Sequence, residues 1–186
     1  MSLPMKSGRD AIGDELALPQ GAVNRRRAGP LGRVVDRAWQ LAYAAAYRVL
    51  RAWWFVRRPA HRGALVALWH GGEILLLRSS YRNGWSLPGG GIARGESARD
   101  AAIRELREEV GLAVEPAALR EAQTVELAWE HRSDHTTIFE IEMTEPPALR
   151  LDHREIVAAG FHRPGAIDPR TVAPHVALYL ARFQAG

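Results

Sequence analysis

The sequence predicts an α/β (α+β) domain that carries an N-terminal helical extension. Three observations predict it. Short, β-rich apolar runs recur between turn signals at 64–69, 73–78, 122–129, 136–143 and 155–161. Two runs with helical spacing, 97–110 and 171–183, alternate with them. A third helical run, 31–57, precedes the rest and differs from it in being basic and aromatic.

Taken in order, residues 1–30 combine Gly8, Gly13, Gly21 and Gly29 with three prolines and little periodicity, and are expected to lack stable structure of their own. No apolar core follows the early basic residues, so no secretory signal is read there. The helix expected next occupies the segment 31–58. Val34, Val35, Ala38, Leu41, Ala42, Ala45, Val49, Ala52 and Trp53 recur near helical spacing, interrupted by Arg33, Arg37, Arg48 and Arg51. The apolar run between Arg37 and Arg48 is too short to span a bilayer. Its first reading is a helix that docks on the domain or on a second copy in a homodimer. Its second is a peripheral helix lying on an anionic membrane surface.

The main domain is expected over 62–184. Its first two strands flank His70-Gly71-Gly72 as a hairpin. A loop at 80–86 leads to Trp85-Ser86-Leu87-Pro88 and then to Gly89-Gly90-Gly91, where the backbone is free to turn and to approach a ligand closely. Ser97 is the expected cap of a helix ending at Gly111. The next two strands are joined by a polar turn at 130–135. In the C-terminal helix Pro174 is tolerable near the first turn, and Val176, Leu180 and Phe183 are expected to face inward.

Composition narrows the class. The chain has 186 residues, enough for one sizeable core. It has no cysteine, hence no disulfide framework and no thiolate metal site, and a cytoplasmic setting is expected. Charge is uneven. Through Arg62 there are 12 basic and 4 acidic residues; from Gly63 onward there are 13 basic and 17 acidic. The basic character therefore belongs to the extension, and the overall charge is not read as a nucleic-acid signature.

The chemistry lies in the stretch 90–112. Gly90, Glu96, Arg104, Glu105, Leu106, Glu108, Glu109, Gly111 and Leu112 stand in the spacing G-x5-E-x7-R-E-U-x-E-E-x-G-U, with U a bulky aliphatic. Glu105, Glu108 and Glu109, at i, i+3 and i+4, share one helical face. Three carboxylates in one patch repel one another unless a cation sits among them, and hard oxygen ligands suit Mg2+ or Mn2+. A lone E-x2-E-E would read better as a solvated helix face. The glycine loop, Glu96 and Arg104 at matching spacing reverse that judgement.

This segment resembles the Nudix box, every position matching, and the chain is similar to MutT-like Nudix hydrolases over roughly 62–184. The resemblance implies an α/β/α sandwich with a mixed sheet. It implies a Mg2+-dependent pyrophosphohydrolase that cleaves a nucleoside diphosphate linked to another group by attack of metal-activated water on phosphorus. It implies metal ligands at Glu105, Glu108 and Glu109, with the Gly89 carbonyl completing the set. Arg104 is expected to orient a glutamate by a salt bridge, and Glu96 to support loop and helix. The base that takes the water's proton is Glu105 or an acid outside the box, with Glu126, Glu130, Glu140 and Glu142 as candidates. The expected partner is a small nucleoside diphosphate derivative, with no nucleic acid.

Outside the box the residues say less. Arg78, Arg82, Arg94 and Arg132 are candidates to meet phosphate. Tyr81, Trp85, Trp129 and Phe161 are candidates to stack on a base. His131 and His135 are expected to sit in a loop entering a strand, where solvation or phosphate contact suits them better than zinc. Two alternatives stand beside the hydrolase: a catalytically silent nucleotide-binding regulatory module, and an isomerase of the same fold. The isomerase chemistry uses a cysteine, which this chain lacks.

Overall fold

The computed structural model describes residues 30–57, 60–129 and 132–184. The segment expected to lack structure, 1–30, lies outside the described residues except for Pro30.

Helix α1, Pro30–Arg57, is followed by strands β1, Ala60–His70, and β2, Glu73–Ser79. Gly71 and Gly72 both take positive φ in the two-residue turn between these strands, the backbone that a tight hairpin needs. Strand β3, Gly89–Gly91, leads into helix α2, Ala98–Val110. Strands β4, Arg120–Trp129, and β5, Arg132–Glu142, form an antiparallel pair, and β6, Ile156–His162, precedes helix α3, Pro174–Gln184.

The sheet is mixed, in the order β4-β5-β1-β2-β6, with β1 and β5 parallel and β3 paired to β1. Residues 63–68 of β1 are buried without a break, as befits a strand covered on both faces. Alternation then sorts its side chains. Ala64, Val66 and Leu68 join Leu75, Leu77, Phe139 and Phe161 beneath Ala101, Ala102, Leu106 and Val110 of α2. Leu65 and Ala67 join Ile74, Leu76 and Ile138 on the opposite face, beneath Val176, Tyr179 and Leu180 of α3. The result is the expected helix–sheet–helix arrangement.

Two features of the sheet place the site. First, β1 and β2 diverge from their turn, and the glycine segment wedges into the fork. Leu77 exchanges backbone hydrogen bonds with Ser86, Val66 N–H donates to the Pro88 carbonyl at 2.8 Å, and Gly89–Gly91 pair with 63–65. Second, β6 joins the far edge of β2, bringing Glu155, just ahead of β6, against the loop that follows β2. Ser80 N–H donates to the Glu155 carbonyl at 2.7 Å.

Helix α2 is bounded as its residues require. Ser97 accepts from Asp100 N–H and donates its hydroxyl to the Asp100 carboxylate at 2.6 Å. Gly111 closes the helix in the left-handed conformation. A Cβ on Gly111 would also lie 2.7 Å from the Arg150 side chain, so glycine is required there for two reasons.

Two expectations are corrected. The polar turn is shorter than 130–135, because β5 already begins at Arg132, drawn into pairing by β4 on one side and β1 on the other. Asp134 is buried there, bonded to His61 Nδ1 at 3.1 Å and to the Thr136 hydroxyl at 3.0 Å. Phe183 does not face inward as Val176 and Leu180 do; it remains 43% exposed, its ring lying against Trp69 and Tyr179.

Leu106 is fully buried in the contact between α2 and the sheet. Leu106→Ala is expected to cost about 2–5 kcal/mol, measured by denaturant unfolding.

Candidate active site

The site is assembled from the wedge and the C-terminal half of α2. Gly89 has φ +136°, and a Cβ there would stand 2.2 Å from the Ala64 carbonyl oxygen. A Cβ on Gly90 would stand 2.6 Å from Glu105 Oε1. Glycine is therefore required at Gly89 to lie against β1, whereas a side chain at Gly90 would displace the Glu105 carboxylate that lies over the backbone there.

Arg104 organises the acids. Its Nε and Nη2 fork onto Glu96 at 2.9 and 3.1 Å. Its Nη1 reaches Glu105 Oε1 at 2.7 Å and Glu108 Oε2 at 3.3 Å, and Nη2 also donates to the Gly91 carbonyl at 3.1 Å. Glu96 in turn accepts from Ala93 N–H at 2.8 Å. This ties the loop before α2 to the helix face. The Arg104 contact holds the Glu96 carboxyl below the usual range, and the same contact pushes the Arg104 guanidinium still higher.

The three helical glutamates have unlike environments. Glu108 is exposed. Glu105 is largely buried, and burial raises its affinity for a proton against the opposing pull of Arg104. Glu109 is only 9% exposed and accepts Gly89 N–H at 2.8 Å. Its carboxyl is pushed well above the carboxylate range, chiefly by burial and further by the charges of Glu105 and Glu155.

Glu155 is the acid that the sequence reading missed. It acts electrostatically on both Glu105 and Glu109, and it accepts the Tyr81 hydroxyl at 2.5 Å. Its place at the head of an apolar strand was a signal for it. By contrast, Glu140 lies on the α3 side, bonded to Tyr179 at 2.7 Å and paired with Arg120 and Arg182. Glu126 pairs with His135 at 2.8 Å, which occupies that histidine without a metal. Glu142 is exposed at the end of β5. Glu130, His131 and the side chains of Trp129 and Arg132 fall outside the described residues.

A small cavity of about 40 Å³ reaches Gly89 and Glu109 between Tyr81, Arg82, Trp85 and Ile156. Arg82, Asn83, Gly84 and Trp85 also wall a larger groove of about 790 Å³, where Arg78 and Arg82 are joined by Arg37 of α1 and by Arg170. A third hollow of about 300 Å³, between α1 and the domain, shares Tyr81, Arg82 and Glu155 with the site and is lined by Tyr43, Tyr47 and Trp54. Arg94 is exposed. The ring of Phe161 is buried in the core against His70, whereas Trp85, half-buried with its ring against His162, also walls the groove.

The donor set suits a hard divalent cation: all carboxylate and carbonyl oxygen, with two of the carboxyls raised by burial and mutual repulsion. Among the described residues no three His, Cys, Asp or Glu side chains already converge as a metal cluster.

Comparison with known proteins agrees with this geometry. The family model described as NUDIX domain matches residues 59–183. A relative from Dinoroseobacter shibae named RNA pyrophosphohydrolase is 47% identical over 60 residues, 31% of this chain and 38% of that one. A Nudix hydrolase of Bacillus subtilis, YvcI, is 50% identical over 40 residues, 22% of this chain and 25% of that one. The chain thus spans well under half the length of the curated relatives it matches. Among solved structures, a MutT NUDIX hydrolase from Burkholderia pseudomallei is similar with a TM-score of 0.59 at 20% identity, over 68% of this chain and 98% of that one. A C. elegans Ap4A hydrolase is similar with a TM-score of 0.56 at 21% identity, over 67% and 96%. Both likenesses speak to the fold. With the family model covering most of its length and every box residue in place, the chain belongs to the NUDIX domain family.

Proposed function

We propose that this protein hydrolyses a phosphoric anhydride bond in a nucleoside diphosphate derivative with Mg2+ or Mn2+ bound at the box. The observation that carries the reading is the pair of carboxyls set against the glycine loop, Glu105 half-buried over Gly90 and Glu109 buried on the Gly89 N–H, beside a groove rich in arginine. Glu105, Glu108, Glu109 and the Gly89 carbonyl are the groups that would hold the cation. Bound there, it supplies a water of lowered pKa and screens the phosphate charge.

The chain's own groups account for the rest. Arg104 keeps Glu105 and Glu108 turned to the glycine loop. Glu105 Oε2, on the oxygen not gripped by Nη1, is the candidate acceptor for the water's proton, because burial raises its basicity. Glu155, facing the same acids, is the second candidate. Arg78 and Arg82 would bind phosphate oxygens away from the box, while Arg170 beside them is already forked onto Asp168. The arginines there favour a substrate whose negative charge extends past the scissile diphosphate. A nucleoside triphosphate is one such substrate; a 5′-phosphorylated RNA end, as the names of the relatives suggest, is another.

A panel of nucleoside di- and triphosphate derivatives and a triphosphorylated oligonucleotide, assayed with Mg2+ or Mn2+, is expected to yield pyrophosphate or mononucleotide products. No turnover across the panel would instead favour a binding module. Glu109→Gln is expected to lower kcat by about 10²-fold or more, and Arg104→Gln by about 10–100-fold, in steady-state assays. Arg78→Ala is expected to raise KM by about tenfold with kcat held.

The raised Glu109 carboxyl also predicts a pH effect on the metal-free protein. It binds its proton more tightly folded than unfolded, so its stabilising contribution is present in acid and is lost as pH rises through the elevated folded value. Between about pH 5 and about pH 8 in chelator, wild type should lose a few degrees more of Tm than Glu109→Gln, read by calorimetry.

A further inference from the structure

Helix α1 lies outside the family match at 59–183, and it has three faces. One docks on the domain. Tyr43 and Tyr47 meet the Tyr81 ring at 6.1 and 5.1 Å, Trp54 is buried, Gln40 donates to the His153 carbonyl at 3.0 Å, and Arg154 stacks over Trp39. The opposite face is the stripe Val34, Ala38, Leu41, Ala45, Val49, Ala52 and Val56, spaced by threes and fours. All seven are exposed, Val49 at 72% and Val56 at 76%. Nine of the twelve large exposed hydrophobics among the described residues belong to α1. The third face runs along one edge of the stripe and carries Arg33, Arg37, Arg48 and Arg51, all exposed.

An exposed apolar face of this extent marks a contact surface, and charge selects its occupant. The one acid of α1 is Asp36, which by helical spacing falls with Gln40, Tyr43 and Tyr47 on the docked side. A second copy packed by two-fold symmetry would present the same stripe and the same arginine edge, with no acid to answer them. An anionic bilayer offers both an apolar interior for the stripe and phosphates for the arginines. Trp39 and Trp53, half exposed on the other edge, are residues suited to the headgroup level. No helix of the described residues is long and apolar enough to cross a membrane.

We propose that α1 lies in the plane of an anionic lipid surface, its valine–leucine–alanine stripe toward the acyl chains and Arg33, Arg48 and Arg51 on headgroup phosphates. The catalytic domain hangs from the opposite, aromatic face. Because that face touches Tyr81, and Tyr81 touches Glu155, the active site is held close beneath the membrane.

The test is co-sedimentation of the full chain with vesicles of phosphatidylcholine alone and of phosphatidylcholine mixed with phosphatidylglycerol, alongside tryptophan fluorescence. Partition about tenfold or more stronger on the anionic vesicles is expected, with a blue-shifted emission. Leu41→Glu with Val49→Glu, and separately Arg48→Glu with Arg51→Glu, should each abolish it while thermal unfolding stays as in wild type. If the first pair does not fold, the arginine pair alone carries the test. Absence of partition by folded wild type, equal binding to both vesicles, or a dimer in light scattering that Leu41→Glu with Val49→Glu dissolves would each overturn the proposal.

Discussion

One guanidinium answers the crowding of acids at this site. Arg104 lies within hydrogen-bonding distance of Glu96, Glu105, Glu108 and the Gly91 carbonyl, so a single side chain joins the loop, the helix and the glycine wedge. The box carries four carboxylates, and Glu155 adds its charge from across the site. Arg104 answers three of them directly; Glu109, the most buried, accepts the Gly89 N–H and is opposed otherwise by the more distant charge of Arg82. The charge left over is what would favour a cation at the site, as proposed, over a salt-bridged surface.

The fork of β1 and β2 makes this arrangement achievable. If the two strands paired along their full length, no room would remain for Gly89–Gly91 beside β1. Their divergence lets the wedge take up β1's hydrogen bonds and sets Gly89 and Gly90 against Glu109 and Glu105. Packing of Leu106 and Val110 into the sheet then fixes how α2 is rotated, and so which acids face the wedge. Site geometry and core packing are one problem here, because successive residues of the same helix serve both.

Much of this was legible because its causes are local. The hairpin at Gly71-Gly72, the Ser97 cap, the Gly111 stop and the shared face of Glu105, Glu108 and Glu109 depend on residues within a few positions of one another. What escaped depends on pairing between distant segments. Glu155 reaches the site only because β6 adds to the outer edge of β2, a register that nothing near residue 155 announces. The same holds for Asp134, drawn into a strand by β1, some 70 positions earlier (His61 to Asp134 is a separation of 73). The arginine groove draws Arg37, the neighbours Arg78 and Arg82, and Arg170 from three separate parts of the chain. The helical period of α1 was plain, whereas which of its faces would dock was settled by Tyr81, in a loop 34 residues beyond Tyr47.

The most direct measurement is Mn2+ binding followed by electron paramagnetic resonance in wild type, Glu105→Gln, Glu109→Gln and, as a control on the far face of the sheet, Glu140→Gln. The account predicts saturable binding by wild type and Glu140→Gln and strongly weakened binding by both box variants. Equal affinity in all four proteins, or no bound Mn2+ in any, would contradict a cation site built from the buried acids of α2.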